Sequence, residues 1–139
     1  MGHQYWEALA RRVVAATGGL WATGVQVVHP AMGTLRIVEV DGDCISFVHS
    51  YDVEETRRAY TDRGGDLFMP DLQDTATFGC LEAEVAKRAG VTVWLEPNVQ
   101  GGEIQSWRVM CLLLGDAFQV AEGPTKAEAL VRALESRDD

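Results

Sequence analysis

His49, Ser50, Tyr51 and Asp52 place an imidazole, two hydroxyls and a carboxylate in four consecutive residues. These are the groups of a proton relay, in which a carboxylate orients an imidazole that takes a proton from a hydroxyl. Consecutive residues of an extended chain point to opposite faces, so the four cannot relay among themselves. No Gly-x-Ser-x-Gly elbow presents a nucleophile elsewhere in the chain. The segment reads as a solvated strand end. A small hydrolase or ligand-binding site at His49, Tyr51 and Asp52 is the least favoured function.

Metal chemistry is poorly served. Glu39, Asp41 and Asp43 alternate like the opening of a calcium loop, but Cys44 and Ser50 stand where glycine and the closing glutamate belong. Cys44, Cys80 and Cys111 lie far apart, as do His3, His29 and His49, so no zinc spacing is present. The cysteines read as buried free thiols. Gly64-Gly65 and Gly101-Gly102 match no phosphate-binding pattern. No cofactor and no metal are expected.

Recognition chemistry is better represented. Arg57, Arg58, Tyr60 and Arg63 form the one basic concentration, interleaved with Glu54, Glu55 and Asp62. Arginine and tyrosine suit protein partners. Of the tryptophans, Trp107 reads as core and Trp6 as half-buried. Trp21, in a loop, and Trp94, facing away from Val93 and Leu95, are candidate interface anchors. The partner-binding set is therefore Glu54, Glu55, Arg57, Arg58, Tyr60, Asp62, Trp94 and Glu103, drawn from the 52–66 and 96–103 segments and from Trp94 beside them.

The whole chain constrains what these residues can serve. It has 139 residues, enough for one domain that buries roughly two-thirds of its unfolded surface. Its net charge of −9 argues against direct nucleic-acid binding, which needs a basic face, and permits a basic protein groove as partner. The longest apolar run, Val109–Leu114, is strand length, so no membrane span is expected. Residues 1–6 lack a signal-peptide pattern, and the expected compartment is the cytoplasm.

Apolar spacing predicts helices over 4–17, 76–89 and 125–136. The second is capped by Asp74 or Thr75, and the third is opened by the Thr125–Glu128 capping box. Short strands are predicted at 25–28 and 91–95. Hairpins are predicted about Asp41-Gly42 and Gly115-Asp116. The first turn pairs Val38 with Ile45 and Arg36 with Phe47, turning Val38, Val40, Ile45 and Phe47 inward. The second puts Trp107, Val109, Cys111, Leu113, Phe118 and Val120 on one face, with Met110, Leu112 and Leu114 on the other. A strand apolar on both sides should be central and covered on both faces. Residues 49–73 read as irregular, with a helical turn at 54–59, and 96–105 as a flexible connection. The expected fold is a single α+β domain, mainly antiparallel sheet with about three helices packed on it.

Two phrases carry a resemblance: Asp74-Thr-Ala-Thr-Phe-Gly-Cys-Leu81 opening a helix, and Glu122-Gly-Pro-Thr-Lys-Ala-Glu-Ala-Leu130 closing a hairpin into another. Together they resemble small proteins encoded by bacteriophages and prophages with a helix–sheet–helix, ABA sandwich-like domain. The resemblance covers about 30 of 139 residues and includes no catalytic group. It implies phage origin; with the charge and the recognition residues, the expected function is a non-enzymatic phage or mobile-element accessory protein that acts by binding a host protein or complex. The sharpest form is an acidic inhibitor, of anti-CRISPR type, of a CRISPR effector or RNA polymerase. The alternative is a self-associating structural or assembly protein, and a homodimer is compatible with either.

Overall fold

The computed structural model describes residues 2–136, less the side chain of Asp66. The expected α+β class, three helices and antiparallel pairing are all present. The strands divide over two sheets, and the chain forms two compact units, residues 1–80 and 81–139.

The first unit opens with α1 (His3–Thr17), which buries Leu9, Ala10 and Val13 and stops at Gly18. Strands β1 (Gln26–His29), β2 (Gly33–Asp41), β3 (Cys44–His49), β4 (Asp52–Tyr60) and β5 (Met69–Pro70) form one sheet in the order β4-β3-β2-β1-β5. Its core includes Val25, Val27, Leu35, Ile37, Ile45, Phe47 and Phe68.

The β2–β3 hairpin forms one residue away from its expected position. Its central residues are Gly42 and Asp43, because Asp41 pairs with Cys44 and Val40 with Ile45. Only the first of the two has positive φ, 63° at Gly42, so glycine leads the turn instead of following aspartate. A bulge at Val38 then pairs Ile37 with Phe47, in place of Arg36. Ile37 is buried and Val38 is exposed, so the expected inward position of Val38 is corrected.

Residues 52–60, expected as loop with a helical turn, are instead the edge strand β4. Its register sets Ala59 beside Ile45, Arg57 beside Phe47 and Tyr60 beside Cys44. An edge strand with both faces wet shows no apolar alternation, which hid it from sequence patterning.

The helix α2 (Thr75–Ala89) runs through the division between units. The second unit continues with β6 (Val93–Gln100), β7 (Glu103–Leu113), β8 (Asp116–Gly123) and α3 (Lys126–Glu135). The expected flexible connection at 96–105 is the end of β6, a Gly101-Gly102 turn and the start of β7. The sheet order is β6-β7-β8, so β7 is central as expected. Thr125 Oγ1 accepts from the Glu128 N–H at 3.2 Å, the expected cap of α3, and Ala127, Leu130, Val131 and Leu134 are buried.

The β7–β8 turn is also shifted by one residue. Leu113 pairs with Asp116, leaving Leu114 (φ 54°) and Gly115 (φ 83°) as its central residues. Both are left-handed, as a type I′ turn requires. The expected cover on both faces fails toward this turn, where Leu112, Leu113 and Phe118 are exposed and Leu114 is 96% exposed.

Candidate functional site

Five of the eight predicted binding residues share β4. Glu54, Glu55, Arg57, Arg58 and Tyr60 are all exposed along this strand, and Asp62 is exposed in the turn after it. The β3–β4 pairing jumps from Val48–Thr56 to His49–Asp52, so residues 53–55 bulge away from β3. Tyr51 is 80% exposed and Val53 70% exposed beside that bulge. Arg57 Nη2 lies 3.5 Å from Glu55 Oε2, a surface ion pair worth little to stability. The Arg63 guanidinium sits over the Tyr60 ring at 5.5 Å. β4 has β3 on one side only, so its outer N–H and C=O groups line an open edge that carries ionic and aromatic side chains.

Trp94 and Glu103 belong to the second unit, on the β6–β7 hairpin. They lie at its opposite ends, about 20 Å apart along the strands at 3.3 Å per residue. Trp94 is half-buried, and its Nε1–H donates to Glu96 Oε1 at 3.0 Å. Glu103 is exposed opposite Gln100, beside the glycine turn. Trp21 is half-buried and packs within the first unit. It donates from Nε1 to the Gly18 carbonyl at 3.2 Å and meets Phe68 edge-on.

Of the relay groups, His49 and Tyr51 stay in ring contact, and Asp52 bonds elsewhere. His49 is buried, where a solvated strand end was expected, and its ring stands 4.8 Å from Tyr51 and 6.1 Å from Phe47. Asp52 Oδ1 accepts from the Glu54 backbone N–H at 3.3 Å. Among the described residues no carboxylate or hydroxyl hydrogen-bonds to the His49 imidazole, which packs instead against the Phe47 and Tyr51 rings.

Two polar constellations escaped sequence reasoning because they depend on cross-strand register. Ser106 Oγ–H donates to Glu122 Oε2 at 2.5 Å, and Asn98 Nδ2 donates to Ser106 Oγ at 3.2 Å and to Glu122 Oε2 at 3.4 Å. This clasp spans β6, β7 and β8, and it lacks an imidazole to activate the hydroxyl. Beside it, Arg108 stands in register between Glu96 and Glu122, its Nε buried without a hydrogen-bond partner. In the first unit, Arg36 binds Asp74 through both guanidinium nitrogens and also reaches Gln26 and the Gly24 carbonyl. Asp74 in turn accepts from the Thr77 N–H and hydroxyl. The Arg36 hydrogen bond, helped by those from Thr77, lowers the Asp74 carboxyl to about 2 against the opposing pull of burial. These bonds tie β2 to the start of α2.

The three cysteines are free and half-buried, less enclosed than expected, and burial pushes the Cys80 thiol up. Among the described residues no three His, Cys, Asp or Glu side chains gather where they could hold a metal ion. No described helix is long and apolar enough to cross a membrane. An apolar groove of about 150 Å³ lies between α3, the end of α2 and the sheet, lined in part by Cys111, Leu113, Val120 and Leu134. Comparison of the chain with protein-family models, with curated proteins and with solved structures finds no match.

Proposed function

We propose that this chain is a non-enzymatic accessory protein of phage or mobile-element type that acts by binding a host protein or complex. The observation that carries this reading is the open edge of β4. It sets Tyr51 and Val53, 80% and 70% exposed, beside Glu54, Glu55, Arg57, Arg58 and Tyr60. Large apolar side chains left in water among ionised ones have the composition of a recognition surface with an apolar anchor and a polar rim. An open strand edge adds main-chain hydrogen bonds to what the side chains offer. The net charge of −9 favours a basic target, and an acidic protein in a groove built for phosphates competes with nucleic acid. A nucleic-acid-handling host complex is the target class that this charge fits.

The test has two steps. Tagged protein is exposed to host lysate and washed at two salt concentrations, and the retained complex is identified by mass spectrometry. Tyr51→Ala/Val53→Ala and Glu54→Lys/Glu55→Lys variants are then titrated against that complex. Loss of affinity in both, with the salt dependence diminished only in the lysine variant, supports the reading. Unchanged affinity removes β4 as the contact surface, and a column that retains no stoichiometric partner removes the reading itself.

A further inference from the structure

We infer that β8 is the pairing edge for a second copy of this chain, joining two three-stranded sheets into one six-stranded antiparallel sheet about a two-fold axis near Phe118. Open sheet edges invite pairing, and most edges here are blunted in recognisable ways. β5 is two residues long, β6 has Pro97 at its middle with Glu96 beside it, and β4 carries four charges over Glu54–Arg58, which suit the charged partner proposed above. β8 has neither charge nor proline over Ala117-Phe118-Gln119-Val120-Ala121. Its one irregularity is the bulge at Val120, where pairing steps from Gln119–Met110 to Ala121–Val109. Residues 116–119 ahead of the bulge run regularly.

Charge selects the occupant. An isologous contact sets each residue against a symmetry-related position of the copy, so a charge on the axis meets its like. In a chain of net charge −9, a neutral patch admits that contact with the least repulsion. From Val109 to Ala121 the sequence holds a single ionised side chain, Asp116. Antiparallel pairing about Phe118 carries Asp116 away from its counterpart and sets it opposite the partner's Val120. An acidic or basic heterologous partner would find no complement here. A second copy finds a neutral strand edge, a half-exposed Phe118 and the apolar groove that Cys111, Leu113 and Val120 line beside it. Aromatic side chains at the centre of such a contact carry most of its energy.

This inference uses a different strand from the proposed host contact, so either can fail without the other. Sedimentation equilibrium of the full chain from about 1 to 300 µM should give a monomer–dimer curve. Phe118→Lys should weaken dimerisation by about thirtyfold or more. Gln119→Lys, at an exposed position that leaves the core untouched, should weaken it in the same direction. Unchanged far-UV circular dichroism verifies both folds. Amide exchange over 116–121 should slow as concentration rises. A monomer throughout the range overturns the inference, as does a dimer indifferent to both lysines or concentration-dependent protection located on β4.

Discussion

Arg36 and Asp74 meet as a fork: Nη1 lies 2.6 Å from Oδ2 and Nη2 lies 3.1 Å from Oδ1, joining β2 to the residue that caps α2. The same carboxylate serves the helix N-terminus and the sheet, so two units of local structure depend on one ionisation.

That dependence gives a pH signature. The Asp74 carboxyl titrates at about 2 in the folded chain against 3.8 ordinarily, so protons bind the unfolded chain more tightly. The stabilisation is complete above the ordinary value and is lost as pH falls from about 4 through about 2. Arg36 is 36% exposed, and solvent screening holds the contribution to about 1–2 kcal/mol. Asp74→Asn keeps an oxygen for the cap and loses the charge. Urea unfolding at pH 7 should show it less stable than wild type by about that amount, and the difference should close near pH 2. A constant difference across that range would show that the charge is not the cause.

Gly123 forms a close approach between β8 and α3. A Cβ at this position would lie 2.7 Å from the Ala129 backbone nitrogen and 3.0 Å from the Glu128 carbonyl carbon. These are backbone atoms, which cannot rotate out of the way as a side chain does. Gly123→Ala should therefore cost about 2 kcal/mol or more, through displacement of the α3 N-terminus. Equal urea midpoints for variant and wild type would mean that α3 yields freely.

What could be read from the sequence followed the range of the interactions. The Thr125 and Asp74 caps depend on residues three apart, and both form where expected. Turn identity was legible, but centring was not, because an Asp-Gly or Gly-Asp pair can sit at more than one turn position. A shift of one residue, followed by the bulge at Val38, exchanged Arg36 for Ile37 opposite Phe47. The strand over 52–60 was hidden because both of its faces meet water. The Asn98–Ser106–Glu122 clasp joins residues up to 24 apart in sequence, and only the sheet register brings them together.

The thiols should differ in reactivity. Burial, with a smaller contribution from the Asp74 charge, pushes the Cys80 thiol up. Its thiolate is the nucleophile, so iodoacetamide at pH 8 should modify Cys80 more slowly than a free cysteine. Peptide mass spectrometry over a time course measures this directly. Labelling of Cys80 as fast as free cysteine would show that the site opens readily.

Leu114 holds a left-handed conformation, φ 54°, at 96% exposure, where a side chain costs strain and an apolar one gains no burial. It is followed by Gly115 at φ 83°, so the turn has type I′ geometry with a poor first residue. Asn-Gly is the sequence this turn prefers, because asparagine tolerates the left-handed region. Leu114→Asn should therefore raise stability by about 1 kcal/mol, seen as a higher urea midpoint with an unchanged m-value. Strain of this kind clusters at binding sites, and Leu114 lies in the turn that leads into the β8 edge proposed for self-association. Leu114→Asn should then lose partner or self-association while gaining stability. A variant that gains stability and keeps every association would reduce Leu114 to an unoptimised turn residue.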